Sequence, residues 1–370
     1  MKVYLDNAAT TPLAPEVIDE MIFVMKNVYG NPSSIHNWGR EAKVVIENAR
    51  KTIATLIQAS PSEIYFTSGA VEAITTILWG AISSLQVRTI ITSKIEHSIV
   101  IHTLDKFQER GFVKVEYCKT DGLGHIDLQH LQTLTEANNG ALVVLMHVNN
   151  EIGNISPINE ISLMCKQNQC YYCTDMVQSM GKLAINLKEI SPDFAISSGH
   201  KLHAPKGIGF MYIRKGVKIQ PLLIGGQEMN QRAGTENIYG IAGLSKAFEI
   251  AYMNYEYNVD YISGLKQYMI QLLEKIPNIE FNGDAKGNSL YTILNVSFPN
   301  ETKYEMLVYK LDIAGIAVSE GSACSSGVNH LSHVIQELPN PGRPAIRFSF
   351  SKFNTKEEID YCIEIIRNFN

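Results

Sequence analysis

Short apolar runs alternate with amphipathic helical patterns over roughly the first two-thirds of this 370-residue chain, and that alternation limits its fold more than any other feature. Residues 64–67, 89–92, 114–117, 142–146 and 171–174 each read as a strand. Helical patterns lie between them, such as Ala42, Val45, Ile46, Ala49, Ile53 and Leu56 at i, i+3, i+4 spacing. Strands that are apolar throughout must be covered on both faces. The expected fold class is therefore α/β, a mainly parallel sheet with helices on both sides. Around residues 244–275 the pattern becomes long and helical, with Leu244, Ala247, Phe248 and Ala251 on one face. Strand-like residues 295–298 and 346–350 follow, separated by a Gly/Ser-rich stretch at 319–327. A capping box, Thr355 with Glu358, opens a last helix whose apolar face is Ile359, Cys362, Ile363 and Ile366. This region reads as a smaller α+β domain.

Hydrophobic residues at 45% exclude a disordered chain, and a net charge of −5 supplies no basic field for nucleic acid. Asp6 and Asn7 interrupt the N-terminal segment too early for a signal peptide, and no apolar stretch is long enough to span a bilayer. A soluble, cytoplasmic protein is expected, with no membrane or direct nucleic-acid partner. The six cysteines have no disulfide-framework spacing. Cys170 and Cys173 form a lone CxxC without a second pair, so no metal site is expected, and Cys173 reads as core.

Lys201 stands in Ser197-Ser198-Gly199-His200-Lys201, between apolar runs at 194–196 and 208–213. A lysine in such a loop is either a solvated charge or a partly desolvated amine able to form a Schiff base, as with the aldehyde of pyridoxal phosphate. Asp175 closes an apolar run; it caps the next element or holds a pyridinium nitrogen protonated. Ser68-Gly69-Ala70-Val71-Glu72 joins a strand to a helical pattern, a junction that suits a phosphate and is also common without one. His97 could stack on an aromatic ring, and Arg347 could bind a carboxylate bidentately. A half-buried histidine and a surface ion pair are the plainer readings. Cys324 differs from the other cysteines: it lies in a small-residue loop, Ser319 to Gly327, where an accessible thiol can react.

Together these residues resemble a cysteine desulfurase, a pyridoxal-phosphate enzyme of the aminotransferase fold. The resemblance runs almost end to end. It is carried by Tyr4 to Pro12, Gly30-Asn31-Pro32-Ser33-Ser34 with His36, Phe66 to Ala70, Glu96-His97 and His147 to Gly153. Ser198 to Lys201, Arg232 to Asn237, Gly321 to Cys324 and Ile346 to Ser349 complete it. Cys324 and Arg347 are 23 residues apart, which matches the long cysteine loop of the first, NifS/IscS-like branch. That resemblance implies fold type I, with a large domain at 15–255 built on a seven-stranded, mainly parallel sheet. The smaller domain would comprise 1–14 and 256–370 and carry the Cys324 loop.

It also implies roles. Lys201 would form the Schiff base and move the Cα proton. Asp175 would pair with the pyridine nitrogen, and His97 would stack on the ring. Gln178 and Asn150 would address the ring oxygen and the substrate side. Ala70, Val71, Ser198 and His200 would hold the phosphate, with Thr235 reaching it from the partner subunit of a homodimer. Arg347 would bind the carboxylate of L-cysteine, and Cys324 would take the sulfur as a persulfide. The acceptor would be a protein of iron–sulfur cluster assembly, nitrogenase maturation or tRNA thiolation. A selenocysteine lyase and a non-enzymatic assembly partner are the alternatives on the same scaffold.

Four features depart from the pattern. Val71 replaces the usual threonine and removes a hydroxyl from the phosphate site. Met176 and Val177 replace smaller or polar residues beside the ring. Glu320 adds a negative charge four residues before Cys324, which would raise the thiol pKa. The chain stops at Asn370, soon after the last helical pattern, which puts the tail-mediated docking of iron–sulfur scaffolds in doubt.

Overall fold

A computed structural model describes residues 1–321 and 332–369. Its strands are β1 (Val3–Tyr4), β2 (Ile64–Thr67), β3 (Thr89–Ser93), β4 (Lys114–Cys118), β5 (Leu142–Val144) and β6 (Tyr171–Asp175). They continue as β7 (Phe194–Ser198), β8 (Gly209–Ile213), β9 (Glu280–Asn282), β10 (Ile293–Ser297), β11 (Ile316–Ala317) and β12 (Ala345–Ser349). A seven-stranded sheet has the order β2-β8-β7-β6-β5-β3-β4. Its strands are parallel except β8, which runs antiparallel to both β2 and β7.

Successive residues of each central strand enter opposite cores, which is why the runs are apolar throughout rather than alternating. Tyr172, Ala195 and Phe210 join the helices Pro15–Asn27, Asn37–Leu56 and Ile238–Met253 on one face. Cys173, Phe194, Ile196 and Met211 join Ala70–Ser83 and Ser98–Glu109 on the other. Each fully buried side chain of this kind contributes about 1.5–3 kcal/mol. Cys170 and Cys173 are buried free thiols. A buried pair ties the first layer to the loop before Ile238. Arg50 donates to Glu228 at 2.8 and 2.9 Å and to the Ile64 carbonyl at 2.7 Å, with its guanidinium over the Phe66 ring. Glu228 also accepts from the Phe66 N–H at 2.7 Å.

A separate apolar cluster gathers Val3 and Leu5 with side chains between Ile262 and Ile366, around the antiparallel sheet β12-β10-β9. The long helical pattern is two helices, Ile238–Met253 and Tyr255–Leu273. They part at Asn254, where the first ends its packing on the seven-stranded sheet and the second turns toward the other cluster. Asn7 donates to the Ser349 carbonyl at 2.8 Å, and Val3 pairs with Ile316, so the first residues are woven into strands formed late in the chain. No described helix is long and apolar enough to cross a membrane.

Candidate active site

The carboxyl ends of β2, β3, β5, β6 and β7 deliver Ser68, Glu96-His97, His147 to Asn150, Asp175 and Ser198 to one rim of the sheet, where open α/β folds bind ligands. After β7 the chain turns tightly through Gly199–Lys201, with the Leu202 N–H donating to the Gly199 carbonyl at 3.0 Å. Gly199 is closely packed: a Cβ there would meet Ala204, Leu244 and Pro205 at 3.1 Å, so the neighbours would have to give way. The turn places Lys201 so that its Nζ donates to the carbonyls of Ala8 and Ala9, each at 2.7 Å. Thr11 holds that segment in place, its N–H donating to the His200 carbonyl at 2.9 Å and its hydroxyl accepting from the His203 N–H at 2.8 Å.

Asp175 is buried at the end of β6. Burial pushes its carboxyl up to about 6, against the opposing pull of the Val177 N–H, which donates at 2.9 Å, and of Lys201. A carboxylate raised in this way would gain from a cation placed beside it. Gln178 is also buried, donating from Nε2 to the Ala8 carbonyl at 3.0 Å and accepting from Lys182 Nζ at 2.8 Å. Met176 lies in the core on the face of Ile238–Met253, and Val177 packs toward the opposite face.

Gly69 has φ of +148°, a conformation that favours glycine, and opens the helix Ala70–Ser83 without a side-chain cap. The first N–H groups of that helix therefore face the rim as anion donors. Ser198 is beside them, its hydroxyl 3.6 Å from where a Gly69 Cβ would stand. Val71 is exposed in the first turn. Glu72 braces the turn, accepting from the Ser68 N–H at 3.0 Å and from Arg232 at 3.0 Å. His200 Nδ1 lies 3.2 Å from the Thr10 hydroxyl.

His97 caps the helix Ser98–Glu109, its Nδ1 accepting from the Ile99 N–H at 3.2 Å, which assigns the ring proton to Nε2. Burial, then Lys201 and His333, lowers its pKa to about 4, so the ring is neutral near pH 7. Beneath it Glu96 is buried, and desolvation raises its carboxyl to about 8. Both Glu96 oxygens accept the Met146 N–H, at 3.0 and 3.1 Å. β5 ends at Val144, although the apolar run continues to Met146, whose N–H goes to Glu96.

Arg347 on β12 faces this rim from the smaller sheet. It is 1% exposed, donating to the Asn150 carbonyl at 2.9 Å and to Asp6 at 3.0 Å, while its buried Nε has no partner among the described residues. The Ser319 and Arg347 backbones pair as well, and the Ser319 hydroxyl donates to Asp6 at 2.7 Å. Glu320 is exposed, and Cys324 lies outside the described residues. The residues on either side of that stretch sit together: a Gly321 Cβ would stand 2.9 Å from Ser332 Cβ, and the Ser332 hydroxyl donates to the buried Glu151. Thr235 is exposed on the surface, apart from the contacts described above.

Lys201, Asp175, Gln178, Asn150, His97, Ser198 and Arg347 thus converge on one rim with the Ala70 helix start. Sequence reasoning did not single out the Ala8 and Ala9 carbonyls, Glu96, Lys182 or Asp6. Ala8, Ala9 and Asp6 stood inside a recognised motif, but nothing in their residue types announces what they bind. The assembly suits a cofactor carrying an aldehyde, a basic ring nitrogen and a phosphate. It offers an amine, a buried carboxylate that a further cation would stabilise, and an uncapped helix start.

The aminotransferase class-V family profile matches residues 3–362. Cysteine desulfurase IscS of Dictyoglomus turgidum is 40% identical, covering 99% of this chain and 93% of that protein. The solved structure of a NifS-like protein superposes with a TM-score of 0.91 at 37% identity, covering 99% of this chain and 98% of the other. SspA, solved in complex with cysteine, gives 0.81 at 31% identity, covering 96% and 100%. With its sheet order, its lysine turn and its full-length similarity to these proteins, the chain belongs to the class-V aminotransferase family, among the cysteine desulfurases of the NifS/IscS type.

Proposed function

We propose that this protein is a pyridoxal-phosphate-dependent cysteine desulfurase, converting L-cysteine to L-alanine and leaving the sulfur as a persulfide on Cys324. The observation that carries the reading is the convergence of Lys201, buried Asp175 and buried Arg347 on one rim. When bound, the cofactor supplies an electron sink for bond breaking at the substrate's Cα and Cβ. Asp175 would meet the ring nitrogen, with Gln178 and Asn150 at the ring oxygen and substrate side. Ala70, Val71, Ser198 and His200 would hold the phosphate. Neutral His97 would lie against the ring and keep water from it. Arg347 receives the substrate carboxylate, for which its buried Nε–H is a donor in waiting. Lys201 moves the Cα proton. The Cys324 thiolate attacks the substrate sulfur, the Cβ–S bond breaks, and its electron pair remains with carbon. Reprotonation of that carbon gives alanine.

We further propose a homodimer. Exposed apolar side chains gather at Phe23, Tyr29, Ile35 and Trp38 and at Leu222, Leu223 and Ile224. The second group leads to Thr235, which would complete the partner's phosphate site. The chain divides at 255/256, with residues 1–14 joining the smaller body; the separate cluster around Val3 and Leu5 supports this. The persulfide passes to a protein acceptor of iron–sulfur assembly or tRNA thiolation. The five cysteines among the described residues are buried and unpaired, which suits the reducing cytoplasm.

The test measures alanine and sulfide from L-cysteine, with a thiol reductant, for wild type, Lys201→Ala and Cys324→Ala. Wild type should make both products and the variants neither. Absence of alanine from wild type, or undiminished sulfur transfer by Cys324→Ala, overturns the reading. Turnover confined to selenocysteine would replace it with a lyase.

A further inference from the structure

Lys182 lies on the turn that follows β6, where the Met180 and Leu183 N–H groups donate to the carbonyls of Met176 and Ser179 at 2.9 Å. That coil sets Gln178 and Lys182 on the same side. Lys182 Nζ donates to Gln178 Oε1 at 2.8 Å, and Gln178 Nε2 donates to the Ala8 carbonyl at 3.0 Å. The same carbonyl accepts from Lys201 at 2.7 Å. The two contacts of Gln178 set its amide independently. Below about pH 7 Lys182 is an ammonium and only donates, so the amide oxygen faces it; a backbone carbonyl only accepts, so the NH2 faces Ala8. The second N–H of that NH2 is then committed as a donor. Without Lys182 the Ala8 carbonyl alone would orient the amide, and that carbonyl is shared with Lys201.

Lys182 is an unusual residue to spend on a structural contact. It lines a cavity of about 60 Å³ with Asn7, Thr11, Lys201, Asn258 and Thr292. Desolvation, with Lys201 and Arg347 nearby, lowers its pKa to about 7. We infer that Lys182 is a positioning residue that locks the Gln178 amide with its NH2 group toward the cofactor's ring oxygen. The inference rests on the pyridoxal-phosphate reading of the site.

The experiment is a double-mutant cycle on purified protein, titrated with pyridoxal phosphate and followed by visible absorbance. Lys182→Met and Gln178→Ala should each weaken cofactor binding about tenfold, the loss of one hydrogen bond to a charged oxygen. The double variant should be no weaker than Gln178→Ala alone, because Lys182 acts through that side chain. Lys182→Arg, which keeps a donor, should restore wild-type affinity and absorbance maximum. Additive losses would make Lys182 a through-space charge and overturn the inference. So would wild-type affinity in Lys182→Met. Should Lys182→Met fail to fold, a folded Lys182→Arg with tenfold weaker binding overturns it equally. If wild type itself develops no absorbance beyond free cofactor, the failure belongs to the functional reading instead.

Discussion

Replacing Asp175 with asparagine in the cofactor-free protein should make it more stable, not less. Asparagine keeps the size of the side chain and can still accept from the Val177 N–H. It removes a carboxyl that folding carries from its ordinary 3.8 to about 6. A carboxyl with a higher pKa folded than unfolded binds a proton on folding. Its contribution is therefore fully present below pH 3.8, falls as pH rises through about 6, and stays low above that. The gap of about two pH units corresponds to about 3 kcal/mol at 1.36 kcal/mol per unit. Urea unfolding of both proteins without cofactor, from pH 4 to 8, reads this out. His97 and Lys182 titrate in both; Glu96, whose carboxyl Asp175 helps to raise, is coupled to it, so the difference curve reports Asp175 together with its effect on Glu96. It should be near zero at pH 4 and favour asparagine by about 3 kcal/mol at pH 7.5. Saturating pyridoxal phosphate should reverse the order, because only the carboxylate pairs with a protonated ring nitrogen. A flat difference curve, or a less stable asparagine variant at pH 7.5, would refute the argument that burial raises this carboxyl.

The other expectations follow from contacts already described. Glu228→Gln leaves buried Arg50 only the half-exposed Glu47 as a counter-charge, at 3.3 Å, and should destabilise the protein by up to about 3–5 kcal/mol, read by urea midpoint; a loss under about 1 kcal/mol would mean the pair is dispensable. Arg347→Lys should raise KM for L-cysteine by at least about tenfold while visible absorbance with cofactor is kept, since lysine cannot bind a carboxylate bidentately. An unchanged KM would remove Arg347 from substrate binding. Val71→Thr adds a hydroxyl at the helix start and should tighten cofactor binding about tenfold, measured by spectroscopic titration; no change would place the phosphate elsewhere.

Much of the fold was readable because its cause is local. Residues 64–67 form β2 as expected, and the Thr355–Glu358 box closes reciprocally at 3.1 and 3.3 Å. Periodicity and caps act over a few residues and leave their mark in sequence. Lys201 and Asp175 were found because each closes or follows an apolar run. What could not be read depends on distant partners. The apolar run through Met146 looks like strand to its end, yet Glu96, fifty residues away, takes the Met146 N–H. Lys182 resembles any turn lysine until Gln178 and Ala8 are brought beside it. The break at Asn254 follows from two cores competing for one helical pattern, which the sequence alone shows as continuous.

The weaving of residues 3–11 into the end of the chain bears on how the protein is made. Ala8 and Ala9 hold Lys201, but the turn that presents them is anchored by Asp6 on Arg347 and Asn7 on Ser349. Those partners leave the ribosome some 340 residues later, roughly 20–70 s at ordinary elongation rates. The seven-stranded sheet can close in that interval, while Val3 and Leu5 remain without the core they belong to. Such distant pairing slows folding. The lysine turn is thus assembled early and given its carbonyl cradle last, so a chain cut short before β12 would hold a formed sheet without an ordered reaction centre.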